Sequence, residues 1–280
     1  MRIISTKKEM RCYSRELRRD GRRVGLVPTM GALHAGHMAL VAGARAECDA
    51  VVVSIFVNPA QFGPNEDFAR YPRVFDADCT MCESAGVDAI FHPSSEEMYP
   101  AGAETFVVQE HLPKLLEGAS RPTHFRGVLT VVLKLFNIVE PDSAYFGQKD
   151  YQQTVVVRRM AADLDVPVDV RVLPTEREPD GLAMSSRNRY LSAEERSQAA
   201  CLFHALELAR NLLRHGVNSA SEIKREMRSL IDKQAPVRID YIDIVRPDTL
   251  APVDKAERGD VVLVAAYFGT TRLIDNAVLD

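Results

Sequence analysis

The chain has no apolar run approaching the length that spans a bilayer, so no membrane partner is expected. Its first residues, MRIISTKKEMRCYS, lack the apolar core and small-residue cleavage site of a secretory signal. Cysteine is scarce. The five present are an odd number, scattered and without a framework, which excludes a disulfide-stapled fold and predicts a reducing, cytoplasmic compartment. There is no excess of positive charge either. The formal net charge is -4 with both signs mixed along the chain, which argues against a nucleic-acid binder driven by a global field. Internal repeats and low-complexity tracts are also missing, so no solenoid or linker architecture is indicated.

What is there is an ordinary globular composition, 46% apolar and 26% charged, in a 280-residue chain long enough for two domains. Strand-like and helix-like segments alternate through the first half. Residues 24–28, 49–57, 88–92, 143–146 and 168–172 read as strands, the second apolar nearly throughout, as in a parallel strand covered on both faces. Residues 37–47, 76–85, 128–139 and 150–163 read as the helices between them. This rhythm predicts an α/β fold with a doubly wound parallel sheet. Near Pro174, Pro179 and Gly181 the character changes. One long helix is predicted over residues 192–214, opened by a Ser192/Glu195 capping box, and a second over 217–234. Strands are predicted at 238–245, 261–267 and 271–274. The second half therefore reads as a smaller α+β domain, and the expected division is 1–175 and 176–280.

The chemistry concentrates in a few segments. Residues 24–41, VGLVPTMGALHAGHMALV, read as a buried strand, a turn with Pro28 and Gly31, and a helix opening on His34, Gly36 and His37. Unpaired amides and the helix dipole make such a start an anion site, and two histidines three residues apart share one face of its first turns. Without a carboxylate or cysteine partner the pair does not make a zinc site. Residues 58–73, NPAQFGPNEDFARYPR, follow the second strand at the end where open sheets place ligands; Asn58 and Gln61 offer amides suited to a hydroxy acid, or the segment is an ordinary polar loop turned by Pro59, Gly63 and Pro64. In RPTHFRG, residues 121–127, two arginines and a histidine can hold a carboxylate or phosphate, or form a solvated basic turn. In FGQKDYQQ, residues 146–153, Gly147 permits close backbone approach, Lys149 brings a mobile charge to a polyphosphate, Asp150 can accept from ribose hydroxyls, and one of Gln152 and Gln153 can face a site. In DGLAMSSRNRY, residues 180–190, two hydroxyls and Arg187 read as a phosphate clamp or, alternatively, an interdomain linker. Cys79 and Cys82 read as helix residues, residues 15–23 as a solvated helix end, and His92, His111, His204 and His215 carry no constellation.

Together PTMGALHAGH, FVNPAQFGPNEDFARYPR, HFRGVLTVVLKLFN, FGQKDYQQ, DGLAMSSRN and GTTRLIDN make the chain resemble the pantoate–β-alanine ligases along nearly its whole length. The HxGH element alone points only to the wider nucleotidyltransferase superfamily, of Rossmann-like fold. The resemblance implies ATP-dependent condensation of pantoate with β-alanine through a pantoyl adenylate, releasing AMP and pyrophosphate, with Mg2+ accompanying ATP. It implies that Met30, Gly31, Ala32, Leu33, His34, Ala35, Gly36 and His37 line the ATP site, with His34 and His37 on the phosphates and His37 as proton donor. Gly147, Gln148, Lys149 and Asp150 would also bind ATP, Lys149 at the phosphates and Asp150 near the ribose. Glu176 would contribute backbone contacts, and Met184, Ser185, Ser186 and Arg187 would form a clamp. Catalysis would rest on His34, His37, Lys149 and Arg187. Gln61 and Gln153 would hold pantoate, Gln61 would also face β-alanine, and Val131 and Val132 would wall the gem-dimethyl group. A homodimer and a C-terminal domain that closes over ATP are further implications. Two departures stand out. Glu176 replaces an apolar residue, and Thr123 replaces a glycine, where a required positive φ would strain a β-branched side chain. An adenylyltransferase that stops at nucleotide transfer and a non-catalytic ATP-binding sensor are the competing readings. The first predicts no dependence on β-alanine, the second no turnover.

Overall fold

In a computed structural model of the chain, residues 1–64, 66–234 and 237–280 are described; residue 65, within the loop segment quoted above, lies outside them. The chain divides into two compact units, one of residues 1–147 and 152–174, the other of residues 148–151 and 175–280.

The first unit is built on a six-stranded sheet in the order β1-β4-β3-β2-β5-β6, parallel at every pairing. The strands are β1 (Arg2–Ile4), β2 (Val24–Thr29), β3 (Ala50–Ile55), β4 (Ala89–Phe91), β5 (Ser143–Gly147) and β6 (Asp169–Leu173). Helices α1 (Lys7–Arg19), α2 (Ala35–Glu47), α3 (Phe75–Ser84), α4 (Ser95–Met98), α5 (Glu117–Ser120), α6 (His124–Val139) and α7 (Tyr151–Asp163) connect them, α7 belonging to this unit from Gln152 onward. Strand side chains alternate between the two faces. Leu26, Val52, Phe91 and Phe146 join a core with α1, α6 and α7, while Val27, Val53, Ile90 and Tyr145 join another with α2 and α3. The sheet is therefore covered on both sides, as its uninterrupted apolar strands require. The chain runs outward from β2 to β3 and β4, then returns to place β5 on the other side of β2. The switch point of this doubly wound sheet thus lies at the carboxyl ends of β2 and β5, where such sheets take ligands.

The second unit carries an antiparallel sheet of β7 (Val237–Val245), β8 (Val261–Phe268) and β9 (Thr271–Val278), covered by α8 (Ala193–Ala199), α9 (Cys201–Arg214) and α10 (Ala220–Ile231). Leu202, Leu206, Ile223, Met227, Val264 and Phe268 are among its buried core.

Several boundaries differ from the sequence reading. The helix expected over 192–214 is two helices that meet at Ala200, although the Ser192/Glu195 capping box is present as read. Helix α6 starts at His124 rather than 128, since His124–Gly127 continue its first turn. Residues 148–150 form a short 3-10 turn ahead of α7. Strand β9 runs on to Val278 because its full length pairs with β8. No helix among the described residues is long and apolar enough to cross a membrane.

Candidate active site

After β2 the backbone turns sharply. Gly31 has φ +80, and Ala32 adopts φ 52, a left-handed conformation that costs an L-residue about 1–2 kcal/mol. The turn is held from below by Asp78 on α3, a buried carboxylate that accepts the Ala32 N–H at 2.9 Å and the Leu33 N–H at 2.8 Å. A Cβ on Gly31 would lie 2.9 Å from the same carboxylate, so glycine is required there for space as well as for backbone angle. Asp78 was not singled out from sequence. The signal available was its place early in α3, but nothing local linked it to a turn 45 residues upstream.

His34 then caps α2. Its Nδ1 accepts the Gly36 N–H at 3.2 Å, and His37 Nδ1 accepts the His34 N–H at 3.3 Å, so the two imidazoles form a reciprocal capping box. The rings lie 4.1 Å apart at 49°. A neutral ring whose Nδ1 accepts carries its proton on Nε2. The cap therefore fixes the tautomer of both histidines, with a donating Nε2–H on each at the positive end of the helix.

The loop after β3 is organised around Gln61. Asn58 is 1% exposed, and its Nδ2 donates to Gln61 Oε1 at 3.0 Å and to Gly127 O at 3.2 Å, while its Oδ1 accepts the Ala60 N–H. Asn58 is thus a brace for Gln61, and the expectation of a ligand-facing amide at 58 is corrected: its polar atoms are committed inside the protein. Gln61 Nε2 reaches Met30 Sδ at 3.1 Å, which brings together residues 30 and 61 of two separate motifs. Helix α6 abuts this loop at Gly127, where a Cβ would collide with the Ala60 carbonyl. Gly127 was not singled out from sequence. Val131 and Val132, one turn further along α6, are buried at 7% and 4% exposure.

In the RPTHFRG segment Arg121 and His124 act as braces as well, whereas Arg126 is exposed and lies over the Phe106 ring. Arg121 makes a two-pronged ion pair with Glu66, at 2.7 and 2.6 Å, so its guanidinium is held by an internal carboxylate. Burial works to raise the Glu66 carboxyl, but Arg121 outweighs it and holds the group below the ordinary carboxylate range. His124 Nδ1 donates to Gln61 O at 2.9 Å. Burial first, then the Arg121 charge, push His124 down to about 4, so the ring stays neutral near neutral pH. Thr123 has φ -97, and the strain anticipated for a residue replacing glycine does not arise.

Of the two glutamines in α7, Gln152 is the committed one. Its Oε1 accepts the Glu117 N–H at 2.9 Å and its Nε2 donates to Leu112 O and Leu115 O, both at 2.8 Å. Gln153 is half-buried beside it. At Gly147 an added Cβ would meet no atom within 4 Å, so protein packing does not demand glycine there.

In the second unit, Lys149 Nζ lies 3.5 Å from Asp150 Oδ1. Glu176 is exposed, but its carbonyl accepts the Met184 N–H at 2.9 Å, closing a hairpin through Gly181 at φ +90. Ser185 caps the 3-10 turn Ser186–Tyr190 by accepting the Arg187 N–H at 3.2 Å, and Ser186 is buried. Arg196 ties this hairpin down through Glu178 and Asp180, holding the Asp180 carboxyl low.

These features define an α/β protein of Rossmann-like architecture with an imidazole-capped helix at its switch point. A sequence model of pantoate-beta-alanine ligase matches residues 2–278. A relative named pantothenate synthetase from Thermotoga neapolitana is 56% identical over 279 residues, covering all of both chains. The crystal structure of pantothenate synthetase from Thermus thermophilus superposes with a TM-score of 0.95 at 48% identity, covering 100% of this chain and 99% of that one. A pantoate-beta-alanine ligase from Francisella tularensis, solved in complex with beta-gamma ATP and beta-alanine, gives a TM-score of 0.81 at 35% identity, covering 99% and 97%. The chain belongs to the pantoate–β-alanine ligase family.

Proposed function

We propose that this enzyme condenses pantoate with β-alanine at the expense of ATP. The observation that carries the reading is the imidazole capping box behind β2, within a chain that matches the ligase family from end to end. The pantoate carboxylate attacks the α-phosphorus of ATP, forming an acyl–phosphate bond as the bond to pyrophosphate breaks. The β-alanine amine then attacks the acyl carbon, AMP leaves, and the nitrogen gives up its proton to form the amide. Neither step requires a protein nucleophile. The first requires in-line placement and stabilisation of charge on the departing pyrophosphate.

In this reading the Nε2–H groups of His34 and His37 donate to phosphate oxygens, supported by the amides at the start of α2, and Met30 through Leu33 shape the approach. Lys149 places its charge on the phosphates and Asp150 meets the ribose. Gly147 and Gln148 present backbone to the nucleotide; the open space around Gly147 supports close approach. Glu176 contributes through its backbone, and Met184, Ser185, Ser186 and Arg187 grip the phosphates. Gln61, braced by Asn58, binds pantoate with Gln153 and faces β-alanine, while Val131 and Val132 supply the apolar wall. Among the described residues no group of three His, Cys, Asp or Glu could hold a metal ion. Mg2+ would be carried on the nucleotide, since this ion keeps waters and substrate phosphates as ligands; there it would neutralise phosphate charge.

The test is a product assay with ATP, pantoate and a panel of amines. AMP and pyrophosphate should form with pantoate, and amide only with β-alanine among the panel. ADP as the nucleotide product would reject the reading.

A further inference from the structure

The GTTRLIDN segment at residues 269–276 carries no role in the reaction just described, yet its last two residues are among the most buried polar groups of the second unit, Asp275 and Asn276 each at 2% exposure. Both lie on β9, which pairs with β8 alone and is therefore an edge of its sheet. The side chain of Asn276 is fully spent. Its Nδ2 donates to the carbonyls of Gln148 and Lys149, both at 2.9 Å, and its Oδ1 receives Gln148 Nε2 at 3.4 Å. One carboxamide thus binds two successive carbonyls of the turn that carries Lys149 and Asp150. Neither a carboxylate nor an aliphatic side chain can do this, because both Nδ2 hydrogens are needed.

Its neighbour fixes it in turn. Asp275 Oδ1 accepts the Asn276 N–H at 2.8 Å, and the Asp275 carboxylate takes a two-pronged contact from Arg177 at 2.6 and 3.0 Å. Arg177 also donates to Gly181 O at 2.9 Å and stacks over Phe203. Burial raises the Asp275 carboxyl above the ordinary range; Arg177 and, to a lesser degree, the Asn276 N–H and the Lys149 ammonium work against that rise. One edge strand therefore holds two elements that come from different parts of the sequence: the 148–150 turn through Asn276, and the 177–181 hairpin through Asp275.

We propose that Asn276 is a positioning residue for Lys149: by binding the carbonyls of Gln148 and Lys149 it sets the turn from which the ammonium reaches the nucleotide phosphates. This rests on the ligase reading for what Lys149 does. The effect is confined to the adenylation half of the reaction, where pyrophosphate leaves. Transfer of the pantoyl group from the adenylate to β-alanine moves no charge onto pyrophosphate and does not depend on this turn.

The experiment is a double-mutant cycle read on the two half-reactions separately. N276A, K149A and the double variant are assayed for pyrophosphate release from ATP and pantoate, and for pantothenate formation from preformed pantoyl adenylate and β-alanine. N276A is expected to lower kcat/KM for ATP in the first assay by about 10- to 100-fold, in line with a displaced charge-stabilising group. KM for pantoate and the rate of the second assay should stay within about twofold of the parent. In the K149A background, adding N276A should cost less than about twofold, because the group it positions is already gone. Equal losses in both half-reactions, or losses that multiply with K149A, overturn the proposal and mark Asn276 as a fold residue only. If N276A does not fold, N276S keeps one donor and goes through the same cycle under the same criteria. A parent protein that releases no pyrophosphate with ATP and pantoate would instead overturn the ligase reading, an outcome separate from either of these.

Discussion

Replacing Asp78 by asparagine should damage both stability and catalysis although residue 78 lies on a helix remote in sequence from the histidines. The carboxylate accepts two backbone N–H groups, at 2.9 and 2.8 Å, in a buried setting. Hydrogen bonds to a charged acceptor contribute about 1.5–3 kcal/mol each. Asparagine retains one acceptor oxygen and turns an N–H2 toward the other amide, so one bond is lost and two donors confront each other. A cost of about 2–4 kcal/mol follows. The turn it restrains holds Ala32 at φ 52, a conformation alanine leaves readily once released. The His34 cap begins two residues later, so relaxation of the turn moves both imidazoles. A displacement near 1 Å can cost about 100-fold in rate. Thermal unfolding and initial rates of AMP formation measure the two effects. The A32G substitution should return part of the lost stability in the D78N background, since glycine takes a positive φ without penalty. A D78N protein that melts with the parent and forms AMP at the parental rate would refute the reasoning.

Further outcomes are expected elsewhere. H37A should reduce AMP formation by about 100- to 1,000-fold through loss of a phosphate donor, while the lost cap contact costs only about 1 kcal/mol on unfolding; a rate within about tenfold of the parent would remove His37 from the chemistry. G127A forces α6 away from Ala60 O, with about 1–3 kcal/mol of destabilisation and a raised KM for pantoate at little-changed KM for ATP; calorimetry and steady-state kinetics check this. His124, held down at about 4 against an ordinary 6.5, resists protonation in the folded state. Its contribution is fully present above pH 6.5 and declines as pH falls toward 4, because the unfolded chain takes up the proton first. H124Q should flatten this part of the curve of melting temperature against pH; a curve identical to the parent would argue against it.

Much of the fold was legible because the central strands are buried on both faces and read as apolar runs. Residues 50–55 are buried throughout, and the expected strand there differed only in its ends. Strand β1 was not read, being three residues long with two of them exposed. The break at Ala200 was hidden because the amphipathic pattern continues across it; the local backbone, not the spacing of apolar residues, ends α8. At the site, the residues proposed to meet substrate were legible by chemical type, whereas the residues that hold them were not. Asn58 read equally as a ligand amide or a plain loop residue, and it is Gln61's brace. Arg121 read as an anion holder or part of a solvated turn, and it holds the internal carboxylate of Glu66. Asp78, Gly127 and Asn276 act through contacts with segments distant in sequence, and no local pattern announces such contacts.

The paired rings at the start of α2 also narrow what mutation can do to this enzyme. Each ring spends one nitrogen on the backbone and carries its proton on the other, so the two duties are inherited together. Lysine or arginine at 34 or 37 would bring charge but no acceptor, and the helix would lose its first turn's anchor. Aspartate or serine would restore the anchor but offer an anion a repelling carboxylate or a shorter reach. Exchange at either place is therefore a change of architecture as well as of chemistry, and any attempt to retune this helix for another acid should begin by giving its backbone a substitute anchor.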